Sequence, residues 1–214
     1  MNWNTILFDL DGTLTDPVAG IVNSILHALE RMAIHEPEPE VLTDFIGPPL
    51  HESFAARYGL EREQAFRAVS HYREYFADRG IFENRLYPGI PELLASLDRR
   101  QMSLVLATSK PTVYARRILE HFNLHGYFSH IQGSELDGRR TRKDEVVQTA
   151  LTLAPAGEAV MVGDRAADVL GARTNGLPAV GVTWGYARPG ELADAAPEHI
   201  VSSVPELGVL LGAS

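Results

Sequence analysis

The 214-residue sequence contains no cysteine, which excludes disulfides, thiol catalysis and cysteine-ligated zinc. Basic residues are in the minority: 19 Lys and Arg stand against 28 Asp and Glu, for a formal net charge of −9. A nucleic-acid backbone is therefore not expected as a partner, because such binding is driven by clustered Lys and Arg. A small anionic substrate stays open, since its site is local and a bound metal reverses the sign of the field in a cleft. No apolar run approaches the roughly 20 residues that span a bilayer, so no membrane partner is expected. The stretch Met1-Asn2-Trp3-Asn4-Thr5 lacks a basic region followed by an apolar one, so no secretory leader is expected. Together these absences point to the cytoplasm.

Hydrophobic residues make up 45% of the chain, enough for a buried core at this length. Thr5-Ile6-Leu7-Phe8 is a short apolar run that ends at Asp9-Leu10-Asp11-Gly12-Thr13, the pattern of a buried strand closed by a turn. Apolar residues at helical spacing predict helices over 19–32, 50–58 and 61–79, with breaks at Pro37-Glu38-Pro39-Glu40 and Phe45-Ile46-Gly47-Pro48-Pro49-Leu50. After Tyr87-Pro88-Gly89 the texture alternates. Strands are predicted over 103–107, 130–132, 159–162, 179–182 and 200–201, and helices over 91–100, 111–122, 143–153, 166–174 and 204–211. Helices alternating with continuously apolar strands imply a doubly wound, Rossmann-like α/β fold with a parallel sheet covered on both faces. The helical block interrupts this pattern, so the expected organisation is a core of residues 1–16 and 88–214 with a small all-helical cap, 17–87, inserted into it.

In open parallel sheets, ligands bind beyond the carboxyl ends of the strands. Here the strand ends deliver Asp9 and Asp11, then Thr108, Ser109 and Lys110, then Asp164 with Asp168 four residues on. Side chains at i and i+2 of an extended segment face the same way, so Asp9 and Asp11 can address one point. Two carboxylates held together resist joint ionisation unless a cation or a proton relieves them. Mg2+, which prefers a few carboxylates plus water and phosphate oxygens, would do so, with Asp164 a natural further ligand. Carboxylates are also covalent nucleophiles towards phosphoryl groups. The same residues read equally as turn and capping residues before Gly12. Thr108 and Ser109 precede a helix expected to start near Pro111, where free N–H groups attract anions, or they simply cap it. Gly12 permits a tight turn and Thr13 supports it. Asp164 and Asp168 flank a strand-to-helix junction as ligand and supporting residue, or as helix caps. Lys143 closes the run Arg139-Arg140-Thr141-Arg142. A cation from that run could neutralise a phosphate, though position does not choose among the four.

Taken in order, Asp9-Leu10-Asp11-Gly12-Thr13-Leu14-Thr15-Asp16, Thr108-Ser109, Lys143 and Gly163-Asp164 with Asp168 resemble the four motifs of the haloacid dehalogenase superfamily. Within it the chain is most similar to phosphoglycolate phosphatases and 5'-nucleotidases, an impression supported by Phe45–Leu50 and Ala107-Thr108-Ser109-Lys110-Pro111. The resemblance implies a Mg2+-dependent phosphatase acting on a small phosphorylated metabolite. Asp9 would be nucleophile and metal ligand, and Asp11 general acid and base with its carbonyl on Mg2+. Thr108 and Ser109 would bind the phosphoryl group. Lys143 would steady the charges on Asp9 and the phosphate, Asp164 would ligate the metal, and Asp168 would support it. Dehalogenases of the superfamily lack the second acid of the first motif, so Asp11 points to phosphate esters. The third motif departs from close relatives, reading Arg142-Lys143-Asp144-Glu145 without a Lys-Pro pair.

A phosphotransferase of the same fold, such as a sugar-phosphate mutase, shares these motifs. A non-catalytic regulatory protein on this scaffold would be expected to have lost Asp9, Asp11 or Asp164. In the cap, Arg57, Tyr72 and Arg73 are candidates for substrate recognition. The sequence does not choose the substrate, nor between monomer and homodimer.

Overall fold

The computed structural model describes residues 3–155 and 157–213. It divides into two compact units, Met1–Asp16 with Leu86–Ser214, and Pro17–Arg85. The chain begins in the larger unit with β1 (Thr5–Phe8) and β2 (Thr15–Asp16). It then forms the smaller, helical unit from α1 (Val18–Arg31), α2 (Leu50–Tyr58) and α3 (Arg62–Tyr75). It returns through β3 (Arg85–Leu86) to α4 (Ile90–Arg99), β4 (Ser103–Pro111), α5 (Thr112–His121), β5 (Phe128–Ser134) and α6 (Lys143–Leu153). It ends with β6 (Ala159–Gly163), α7 (Ala166–Thr174), β7 (Ala179–Val182), α8 (Glu191–Ala195), β8 (His199–Val201) and α9 (Val204–Leu210).

In the larger unit six strands form a parallel sheet in the order β5-β4-β1-β6-β7-β8. This is the Rossmann-like α/β architecture that the alternation of elements implies. β1 lies between β4 and β6, with Leu7 opposite Val105 on one side and Met161 on the other. On one face, Leu7, Val105 and Met161 pack with Val146, Val147 and Ala150 of α6 and Val169 and Ala172 of α7. Residues that alternate with them, Ile6, Phe8, Leu104, Leu106, Val160 and Val162, are also buried. Burial of both faces explains why these strands read as continuous apolar runs without alternation.

The helical unit departs from the sequence reading in two places. The helix expected over 61–79 stops at Tyr75 and continues as a π-helical turn, Phe76–Gly80, in which the Ile81 amide donates to the Phe76 carbonyl at 2.8 Å. Phe76 and Ile81 are both buried. They are five residues apart, a spacing that the wider turn brings to one side and an α-helix does not. A 3-10 segment, Pro39–Phe45, bridges the two expected breaks and buries Leu42 and Phe45.

Two of the three recognition candidates are structural. Tyr72 is buried and stacks on Phe76 at 5.3 Å between ring centres. Arg57 grips Glu36 with Nε at 2.6 Å and Nη2 at 2.8 Å, and the Tyr58 hydroxyl adds a third bond at 2.6 Å. These donors hold the Glu36 carboxyl at about 2, below its ordinary 4.5. A lowered carboxylate pKa gives stability that is complete above the unfolded value and lost as pH falls through the folded one. Glu36→Gln is therefore expected to lower the melting temperature by several degrees at pH 7. The gap should close progressively below about pH 4.5. A gap independent of pH, measured by thermal unfolding from pH 7 to 3, would contradict this account.

Candidate active site

The carboxyl end of β1 runs one residue past the strand, because the Asp9 amide still donates to the Val162 carbonyl of β6 at 2.9 Å. Asp9 is thereby placed at the sheet edge, 7% exposed. The chain then turns tightly. Leu14 N bonds Leu10 O at 2.9 Å, Gly12 N bonds Thr15 O at 2.7 Å, and Gly12 has φ +82. A Cβ on Gly12 would lie 2.2 Å from Asp164 Oδ2. Glycine is thus required there for its backbone angle and for the carboxylate beside it.

Asp164 follows β6 and is fully buried. Its Oδ1 accepts from the Thr13 hydroxyl at 3.4 Å and its Oδ2 from the Tyr186 amide at 2.7 Å. Asp168, in the first turn of α7, accepts from the Arg165 amide at 3.0 Å. It is therefore a helix cap, and it also reaches the cluster. Oxygens of Asp9, Asp164 and Asp168 lie within 4.8 Å of one another. Asp11 is not in that trio: its Oδ2 turns to the Lys110 ammonium at 2.8 Å.

Among the four clustered basic positions the structure makes a choice. Arg139, Arg140 and Arg142 pair locally with Asp137, Glu135 and Asp144. Lys143, the first residue of α6, turns inward with its side chain 6% exposed. It lies 2.9 Å from Asp9 Oδ1 and 2.7 Å from Asp168 Oδ1 and donates to the Ala107 carbonyl at 3.1 Å.

Thr108 and Ser109 do not stand at a helix N-terminus. β4 continues through them to Pro111, which pairs with Ser134 of β5, and α5 starts only at Thr112. Hydrogen bonding to β5 keeps this polar stretch extended: Ser134 Oγ donates to the Ser109 carbonyl at 2.7 Å and the Gly133 amide to Thr112 Oγ1 at 3.0 Å. Thr108 is buried, with its hydroxyl accepting from the Lys110 amide at 3.3 Å.

Three clustered carboxylates with one ammonium beside them leave an excess of negative charge in a buried site. Burial, then Asp168 and Asp9, push the Asp164 carboxyl well above its ordinary range. Burial pushes Asp168 up to about 6, although Lys143 pulls the other way. Burial also raises Asp11 against the opposing pull of Lys110. Lys143 itself is pulled down by burial, but Asp168 and Asp9 more than offset this, and its pKa is raised. These residues fit a divalent cation. Asp11 Oδ1 is buried with no hydrogen-bond partner, and the Oδ1 atoms of Asp9 and Asp168 face Lys143 only as ion pairs. An all-oxygen, multiply charged donor set is the chemistry that hard cations such as Mg2+ select.

Two roles are not read from the sequence. Lys110, expected at this sheet edge without an assigned role, is the ion-pair partner of Asp11. The loop after β7 supplies the Tyr186 amide to Asp164. Its signal was positional: Thr183-Trp184-Gly185-Tyr186 follows a predicted strand and so must emerge at the same sheet edge.

The model of the haloacid dehalogenase-like hydrolases matches residues 6–182. A 5'-nucleotidase of Pseudomonas aeruginosa is 45% identical over 99% of this chain and 96% of its own. A protein of Mycobacterium tuberculosis named tyrosine-protein kinase PtkA is 45% identical over 86% of this chain, which spans 63% of that relative. Among solved structures, a predicted phosphatase from Clostridium acetobutylicum superposes with a TM-score of 0.93 at 44% identity, covering 99% of both chains.

Proposed function

The chain belongs to the haloacid dehalogenase-like hydrolase family, and from that premise we propose that it hydrolyses a small phosphomonoester through an aspartyl-phosphate on Asp9, with Mg2+ as cofactor. One observation carries the reading. A buried carboxylate at the centre of the sheet edge is flanked by two further carboxylates and a buried ammonium. Nothing in a purely structural site calls for that concentration of charge. The relative named 5'-nucleotidase makes nucleoside 5'-monophosphates the first substrates to try. Phosphoglycolate, pyrophosphate and sugar phosphates complete the panel.

In this reading Asp9, Asp164 and the Asp11 carbonyl hold Mg2+, and Asp168 orients the cluster. Bound there, Mg2+ supplies charge neutralisation for the crowded carboxylates and for the phosphate oxygens. Asp9 attacks phosphorus, and the bond to the leaving oxygen breaks as Asp11 gives that oxygen its proton. Burial raises the Asp11 pKa, the direction a general acid needs at neutral pH. Asp11 then takes a proton from water, which attacks phosphorus and releases phosphate and the free Asp9 carboxylate. Thr108 holds the transferring phosphoryl group, with Ser109 beside it, and Lys143, ion-paired to Asp9, neutralises developing charge.

The test is phosphate release over the panel with Mg2+ and with EDTA. At least one ester should turn over, with a loss of at least ~10^2-fold on chelation. No release from any ester, or full activity in EDTA, would refute the assignment. The kinase-named relative favours a second reading, transfer to an acceptor other than water. Labelled protein or isomerised sugar phosphate, in place of free phosphate, would select it.

A further inference from the structure

The loop after β7 carries two aromatic residues that the proposed chemistry does not use. We propose that Trp184-Gly185-Tyr186 is a clasp that locks Asp164 in its metal-binding position, with Tyr186 as its positioning residue. This rests on the Mg2+ reading above.

Three bonds define the clasp. The Trp184 indole N–H donates to the Thr13 carbonyl at 3.1 Å. The Tyr186 hydroxyl donates to Asp16 Oδ1. Between these anchors, the Tyr186 amide donates to Asp164 Oδ2 at 2.7 Å. Both side chains therefore fasten to the Asp9–Asp16 segment, at its turn and at its end, while the backbone between them rests on the carboxylate. Gly185 makes the approach possible. A Cβ there would fall 2.3 Å from Asp164 Oδ2 and 2.4 Å from the Gly12 carbonyl.

The consequence is mechanical. Asp164 is buried among groups that repel its charge, so its carboxylate orientation depends on the donors that hold it. One of its two bonds, from Thr13, is long at 3.4 Å, which leaves the Tyr186 amide as the tighter restraint. An amide in a loop is a fixed donor only if the loop is fixed, and the two aromatic anchors fix it. Outer partners of this kind typically alter metal affinity by about 10–100-fold when removed.

Tyr186→Phe removes one anchoring hydroxyl and keeps the ring. Mg2+ binding is to be measured by calorimetry on the full chain, with melting temperature, kcat and KM recorded alongside. The expected result is Mg2+ affinity weakened by roughly 10-fold or more. The Mg2+-free melting temperature should stay close to that of the parent. Trp184→Phe, which removes the other anchor, should act in the same direction and serves if Tyr186→Phe does not fold. Parent-like Mg2+ affinity in a folded variant overturns the clasp and leaves the phosphatase reading intact. A parent protein that binds no Mg2+ overturns the metal reading itself, and the clasp with it.

Discussion

Asp9→Asn is expected to reduce phosphate release by roughly 10^4–10^6-fold, the scale on which removal of a covalent nucleophile acts, while leaving a folded protein. The substitution keeps the shape of a side chain that is 7% exposed. It removes one of the two carboxylates paired with Lys143 and leaves the other, Asp168 at 2.7 Å. Since Asp9 is also a proposed metal ligand, lost turnover alone does not establish it as the nucleophile. The covalent intermediate does. Quenching the parent protein during turnover should yield a phosphoryl adduct on the peptide containing Asp9, and Asp9→Asn should yield none. Asp11→Asn should lengthen the life of that adduct when the leaving group is a good one, because the group that activates water is gone while the attacking carboxylate stays. A parent-like rate in Asp9→Asn, or an adduct on another residue, would falsify the nucleophile assignment.

Much of this is legible in the sequence, and the reasons are physical. β1 and β6 are buried on both faces, so their sequences are apolar runs whose ends are marked by Asp9 and by Gly163-Asp164. Topology then makes those ends converge, which is how Asp9 and Asp164, 155 positions apart in the sequence, come to share a site. What was not legible depended on tertiary choice. The sequence offers four basic positions before and at the start of α6. The resemblance implies Lys143, and burial and the pairing of the three arginines with local acids give the physical reason that sets it apart. Thr108 and Ser109 read as the junction before a helix near Pro111 because their side chains are those of a cap. The structure keeps them extended because β4 stays paired with β5 on either side of them, at Ala107 and Pro111, and Ser134 of β5 bonds the Ser109 carbonyl. The Trp184–Tyr186 loop carries no acid or base of its own. It acts through a backbone amide and two aromatic anchors, and no residue-type pattern signals that.

Lys143→Met should have the second-largest effect, and on stability as well as rate. Lys143 is the cation between Asp9 and Asp168, and all three side chains are buried or nearly so. Removing one partner of a buried ion pair costs about 3–5 kcal/mol, because the remaining charge stays desolvated and uncompensated. Methionine fills much of the space, so the loss reports charge more than a cavity. Two readouts separate charge from packing. Mg2+ should restore more melting temperature to Lys143→Met than to the parent, since the ion replaces a missing positive charge among the same carboxylates. The pH profile should move as well. Lys143 pulls the Asp168 carboxyl down from the value that burial alone would give it, and about 6 is the net. Without the ammonium the carboxyl rises further, so more protons remain in the cluster at neutral pH and the acid limb of the rate profile shifts to higher pH. Lys143→Arg keeps the charge but replaces a compact ammonium with a planar fork. It should recover stability more fully than rate, because three acceptors around one Nζ atom fit a point charge. If Lys143→Met instead matches the parent in Mg2+-free stability and in its acid limb, the ammonium is not holding the carboxylates together. The electrostatic account of the site then fails at its centre.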